Sequence, residues 1–272
     1  MPVLLFTSNN IASRNIAKML IEKHGFIAKG ENRWEKNGVA LINTHAPSVL
    51  EVPTGFDTDY LLVLSSHKSK SGEKMLTAHF PGNWNEAKYG GDAKTLNVAC
   101  GSRLKILVQE LARANKTAWP VVMEADHHGP TCSVPIIFVE IGSTEEEWSD
   151  PAAAESVAVA VAASLMRNEK YESVLGIGGG HYAKEFTKLI LETDCAVGHI
   201  APKYTLDALD EAVFRQAIEK NVEPVKKVFV LKESTNRAHK RKIEEFCRML
   251  GLEYAEMQDN PNAGKSNTRG IS

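Results

Sequence analysis

The 272-residue chain has little of what would place it in a specialised class. Its four cysteines, Cys100, Cys132, Cys195 and Cys247, stand far apart with no CxxC pair. That excludes a disulfide-built miniprotein and gives no zinc-ribbon or thioredoxin signature; reduced, mostly buried thiols of a cytoplasmic protein are expected. No apolar run reaches the roughly 18 residues that span a bilayer. The opening Met1-Pro2-Val3-Leu4-Leu5-Phe6 lacks a basic n-region and meets Ser8-Asn9-Asn10 too soon for a signal peptide. Neither sign of charge dominates: 32 Lys+Arg against 34 Asp+Glu leave a net charge of −2. A strongly basic nucleic-acid coat is excluded, while a local basic face is not. Also missing are HExxH, the nucleophile elbow GxSxG, a P-loop and GxGxxG. No linker rich in Pro, Gly or Ser divides the chain, no repeat recurs, and no heptad points to assembly, so a monomer without a stable protein partner is expected.

What is present is ordinary globular composition, 43% hydrophobic and 24% charged. A chain of this length buries about 70–75% of its unfolded surface and needs no staples. Short apolar runs at 3–7, 38–44, 60–66, 121–125, 134–141, 173–177, 196–200 and 227–231 read as strands. Helical stripes cover 11–24, 97–116, 184–192, 206–220 and 236–250, and Asp150 followed by Pro151 caps another that runs to Met166. The alternation predicts a single α/β domain over 1–258, with a mainly parallel central sheet and helices on both faces. Residues 259–272 form a polar tail.

Six of the nine histidines fall in short polar segments that follow or interrupt these strands: His67, His79, His127 with His128, His181 and His199. Ligands of open α/β sheets bind outside the carboxyl ends of strands, so a parallel sheet would gather these segments on one edge. Convergent imidazoles with a carboxylate suit zinc, and Glu124 is placed to orient or deprotonate a zinc-bound water. The ligand candidates are His67, His79, His127, His181 and His199; the catalytic candidates are Glu124, His127 and His128. His24, His45 and His239 are expected outside the pocket. A single histidine of this kind is usually a hydrogen-bonded loop residue; the weight lies in their number.

The turn Gly176-Ile177-Gly178-Gly179-Gly180-His181 permits close backbone approach and positive φ. It matches no nucleotide fingerprint, although an α/β enzyme handling a nucleoside or nucleotide through this turn is one alternative function. A non-catalytic tRNA-binding module with a structural metal is another. Glu145-Glu146-Glu147 reads as a helix entry, where acidic groups are favoured, ahead of a cation site.

At these segments the chain resembles the D-aminoacyl-tRNA deacylases of archaea and plants, also called archaeal-type D-tyrosyl-tRNA deacylases. The resemblance is carried by His67 with Ser69, Leu76-Thr77-Ala78-His79, Gly82-Asn83-Trp84, Tyr89-Gly90-Gly91, and Glu124 with His127-His128-Gly129-Pro130-Thr131. It continues through Glu140-Ile141-Gly142-Ser143 to Trp148, Gly176 to Tyr182, and Gly198-His199-Ile200 with Pro202-Lys203-Tyr204. Asp126 departs from the family pattern, where a small hydroxyl residue is usual. The resemblance implies a zinc-associated hydrolase that cleaves the ester joining a D-amino acid to tRNA. It also implies an α/β core similar to peptidyl-tRNA hydrolase and phosphorylase-like folds. Ser69, Thr77, Asn83, Gly178, Gly179, Gly180 and Lys203 are then candidate substrate contacts, the glycines as walls that reject L-esters. Lys68, Lys70, Lys74, Lys88, Lys94 and Lys203 flank the motifs within reach of phosphates.

Overall fold

The computed structural model describes residues 1–258 apart from Thr54; the tail expected at 259–272 lies outside the described residues. The first half of the chain runs β1 (Val3–Thr7), α1 (Ile11–Lys23), β2 (Ile27–Gly30), β3 (Arg33–Lys36), β4 (Val39–Thr44), β5 (Leu61–Lys68) and β6 (Met75–His79). It continues through β7 (Gly82–Asn83), β8 (Thr95–Leu96), α2 (Gly101–Ala114), β9 (Val121–Met123), β10 (Ile136–Ser143), α3 (Glu145–Trp148) and α4 (Pro151–Ser164). The second half runs β11 (Glu172–Ile177), α5 (Lys184–Glu192), β12 (Cys195–Ala201), a 3₁₀ turn (Lys203–Thr205), α6 (Glu211–Glu219), β13 (Val225–Leu231), α7 (Arg237–Leu250) and β14 (Glu253–Met257).

Local chemistry accounts for most boundaries. Asn10, Asp150, Asp210 and Asn236 cap α1, α4, α6 and α7 by accepting backbone N–H bonds. Pro151 occupies the first position of α4, where its missing N–H costs nothing. Thr144 and Glu147 close a capping box on α3, so the acidic run is a helix entry as expected. Gly251 ends α7 at φ +66°, a left-handed conformation that glycine adopts freely. Six strands lie outside the expected set: β2, β3, β6, β7, β8 and β14. β2 and β3 form an edge hairpin of four-residue strands with Trp34 packed on the core, β7 and β8 have two residues each, and β6 is only five residues long.

The strands make a mostly parallel α/β fold, divided between two large sheets and the short antiparallel pair β7-β8. The first has the order β2-β3-β4-β1-β5-β10-β6-β9, and the second, β12-β11-β13-β14, is parallel throughout. One hydrophobic cluster runs through both, from Leu4 and Leu62 of the first to Val174, Val197 and Ile200 of the second. α2 bridges them, packing on α4, β6 and β12. The opposite face of the first sheet, with Val3, Leu5, Val63 and Phe138, is covered by Val49, Val52, Phe56 and Val134 from irregular chain, where helices were expected. All four cysteines are free thiols, Cys100 and Cys247 fully buried.

Candidate metal and catalytic site

The site forms where the two sheets meet. Parallel pairing sets Glu140 beside Ser65 and Gly142 beside His67, while antiparallel pairing sets Phe138 beside His79. Because strand side chains alternate, His67, Glu140 and His79 share one face. Glu124 follows β9; its N–H donates to Ala78 O, and it bridges to Tyr182. The next residues stitch the sheets together: Ala125 N donates to His181 O and Asp126 N to Ile200 O. His128 sits at φ +49°, a costly conformation for a residue with a Cβ. The turn brings His127 and His128 against His79, with ring centroids 4.3 and 4.9 Å from the His79 ring.

Glu124 is 1% exposed. Its Oε2 lies 2.7 Å from His181 Nε2, 3.2 Å from His67 Nδ1 and 3.6 Å from His127 Nε2. Glu140 Oε2 lies 3.6 Å from His79 Nε2 and 3.8 Å from His67 Nδ1. The far nitrogens are held: His67 Nε2 by the Tyr182 hydroxyl at 2.9 Å, His79 Nδ1 by Phe80 O at 3.0 Å and His127 Nδ1 by Ala125 O at 2.9 Å. Such outer bonds fix which nitrogen is turned inward. Burial alone would raise the Glu124 pKa, but the imidazoles of His181 and His67 hold it well below the usual carboxylate range. Burial alone would lower His67; Glu124, Glu140 and the Tyr182 hydroxyl outweigh it and lift the pKa to about 10. His127 is pushed well down by burial and by His79 and His128, and His128 falls to about 4 for the same kind of reason. Neutral imidazole is the ligating form.

Three groups bring their ligand atoms within 4.8 Å of one another: His79, His127 and His128; His67, Glu124 and His181; His79, Glu124 and Glu140. Both Glu124 oxygens and His79 Nε2 are sealed from solvent without a hydrogen bond of acceptable geometry. Buried polar atoms left unpaired are costly, and a cation at their centre satisfies them together. The nitrogen and oxygen donor set fits a transition metal.

An open cavity of about 820 Å³ leads to these groups, with His127, His128 and His181 in its wall, beside Asn83, Trp84, Lys88, Tyr89, Lys94 and Tyr204. Asn83 is held there by bonds from its amide to Gly90 O and Asp92 O.

Other expected positions lie elsewhere. His199 is not among the converging ligands: its Nδ1 pairs with Asp126 Oδ2 at 2.6 Å and its Nε2 with Lys220 O at 3.1 Å. Asp126 also accepts from Ile200 N, so the residue that departs from the family pattern is a structural partner. Ser69 sits in the turn after β5, bonded to Ser71. Thr77 is sealed inside β6 opposite Glu140. Gly178 and Gly179 approach the protein itself: a Cβ on Gly178 would stand 2.8 Å from Ser234 Oγ, and Gly179 N donates to that oxygen. A Cβ on Gly180 would meet no protein atom within 4 Å. Lys203 is exposed, with its N–H on Gly179 O. Lys74, Lys88 and Lys94 are paired with acidic groups. His24 ends α1 and His239 pairs with Asp207; neither they nor His45 join a ligand group.

Sequence reasoning gave no role to Glu140 or Tyr182. Glu140 did carry a signal, a lone carboxylate within the apolar run of β10, where an unpaired charge is rarely buried. Tyr182 carried none beyond following His181.

The model of the D-aminoacyl-tRNA deacylase family matches residues 54–255. The D-aminoacyl-tRNA deacylase of Pyrococcus furiosus is 34% identical over 93% of this chain and 99% of its own length. That of Thermococcus kodakarensis is 36% identical over the same shares, and that of Ignicoccus hospitalis 40% over 72% of this chain and 80% of its own. A crystal structure of a conserved protein of unknown function superposes with a TM-score of 0.87 at 28% identity, covering 94% of this chain and 95% of that one. The chain belongs to the D-aminoacyl-tRNA deacylase family.

Proposed function

We propose that the protein is a cytoplasmic hydrolase that cleaves D-aminoacyl-tRNA to free D-amino acid and tRNA, with zinc as its metal. The observation that supports this reading best is the buried Glu124 carboxylate, facing His67, His127 and His181 at the inner end of an open cavity. His67, His79, His127, His181 and the two carboxylates are the groups to hold the ion. When bound, zinc acidifies a water and polarises a carbonyl.

The chain's own residues supply the rest. Glu124 accepts the proton of the attacking water, whose oxygen forms a bond to the ester carbonyl carbon. The bond from that carbon to the ribose oxygen then breaks, and the proton passes to the departing oxygen to give the tRNA hydroxyl. Tyr182 fixes the orientation of His67 through its 2.9 Å bond. His128, neutral and at the cavity wall, lies next to His127. Asn83, which lines the cavity, and the exposed Lys203, next to the cavity-lining Tyr204, are the side chains to contact substrate.

Single-turnover kinetics with D- and L-Tyr-tRNA, run with metal analysis of the purified protein, test this. The expected result is bound zinc, rapid cleavage of the D-ester, sparing of the L-ester, and loss of cleavage on chelation with recovery on adding zinc. Equal cleavage of both esters removes the chiral role. Full activity in metal-free protein removes the zinc.

A further inference from the structure

The chain contains 4 Trp, 6 Tyr and 9 Phe. Among the described residues the large aromatic side chains left exposed are Tyr89, at 73%, and Tyr204, at 59%. Single exposed apolar residues are unremarkable. These two stand far apart in sequence, on different elements, and both line the 820 Å³ cavity whose wall holds His127, His128 and His181.

Both rings are carried on braced backbone. Gly129 N donates to Tyr89 O, and the Asn83 amide grips the following segment at Gly90 O and Asp92 O. Gly90 sits at φ +79°, and a Cβ there would stand 2.1 Å from Val49 O, so only glycine permits this turn. Tyr204 rides on the 3₁₀ turn, fixed by Lys203 N to Gly179 O and by the Thr205 hydroxyl to Pro202 O. Exposed rings on rigid supports lose little entropy on binding a flat partner. No hydrogen bond within the described residues uses either hydroxyl. Lys203, beside Tyr204, is exposed and makes no ion pair among the described residues.

Aromatic faces beside a free cation match the chemistry of single-stranded nucleic acid, where bases stack on rings and the backbone meets positive charge. We infer that Tyr89 and Tyr204 are stacking platforms for the unpaired bases at the 3′ end of the RNA strand whose terminal ester reaches the histidines. The inference rests on the deacylase reading above and adds to it how the strand is held. A strand end is the occupant because the exposed rings line the same cavity whose wall holds the candidate ester-cleaving groups.

The test compares wild type with Tyr89→Ala, Tyr204→Ala, Tyr89→Phe and Tyr204→Phe. Each is assayed on D-Tyr-tRNA and on the D-Tyr ester of adenosine, which lacks the upstream nucleotides. Binding of an unacylated CCA trinucleotide carrying a fluorescent adenine analogue is titrated in parallel. Each alanine variant should raise KM for D-Tyr-tRNA by about tenfold, the scale of one lost stack, with kcat nearly unchanged. The phenylalanine variants should behave as wild type, because stacking needs the ring and not the hydroxyl. Trinucleotide affinity should fall in the alanine variants alone. Unchanged KM and trinucleotide affinity overturn the inference. So does an equal loss on the adenosine ester that varies with the D-side chain, which assigns the rings to the amino acid. If wild type cleaves neither ester, the deacylase reading fails by itself. The trinucleotide titration then still decides the stack, since equal binding by all variants overturns it.

Discussion

Two buried histidine–carboxylate settings lie side by side in this protein, and only one of them is left open. In the first, His199 uses both ring nitrogens, on Asp126 and on Lys220 O, and Asp126 also accepts from Ile200 N. In the second, Glu124 has three imidazoles around it, yet neither of its oxygens completes a hydrogen bond. Residue type and burial are nearly the same. The difference is whether the polar atoms are satisfied by the protein itself. A closed pair ties β12 to the loop after β9, whereas the open one turns unpaired carboxylate oxygens toward imidazoles.

The largest expected effect tests the closed pair. His199→Ala or Asp126→Ala should destabilise the protein by about 3–5 kcal/mol, the scale of removing one partner from a buried pair. Chemical denaturation measures this, and the remaining folded enzyme should keep its metal and most of its activity. A His199 variant that loses metal without losing stability would erase the distinction.

The open site should respond in the opposite way. Glu124→Gln and His127→Ala should each slow D-Tyr-tRNA cleavage by about 100-fold or more, the scale of lost acid–base assistance. Their denaturation midpoints should stay near wild type, because the cluster already holds buried polar atoms without a hydrogen-bond partner. Single-turnover rates on protein of verified fold separate the two readouts.

Tyr182→Phe sharpens the comparison from outside the cluster. It removes the bond that orients His67, and metal affinity should fall by roughly 10–100-fold, as for other outer-sphere partners of ligating histidines. Competition with a chromophoric chelator measures it, and stability without metal should hardly change.

Smallest is Lys203→Ala, which touches neither setting. It should weaken tRNA binding a few-fold and reduce the slope of log affinity against log salt by about 0.7–1, one phosphate contact. An unchanged slope places Lys203 off the RNA.

The strand–helix alternation and the caps at Asn10, Asp150 and Gly251 were legible in the chain, because their causes act within a few residues. β6 was not: five residues of mixed polarity acquire strand geometry only from β10 and β9 on either side. Five of the six histidines singled out in the sequence do converge, and the signal was their place in short polar segments at or near strand ends. His199 has the same position and the same neighbours in kind, but its partners, Asp126 and Lys220, come from segments 73 and 21 residues away. Nor did the three glycines announce that Gly178 would pack on the chain entering α7.

By itself, then, the order of residues determined an α/β fold of mostly parallel strands, free thiols and a set of polar, histidine-bearing turns at strand ends. Those follow from periodicity, capping and composition, which are local. Only the tertiary structure decided that the strands divide into two large sheets, that Glu140 and Tyr182 join the cluster while His199 leaves it, and that Tyr89 and Tyr204 meet at one cavity. Each of these depends on which side chains from distant segments complete one another's hydrogen bonds. That pairing exists only once the two sheets have packed.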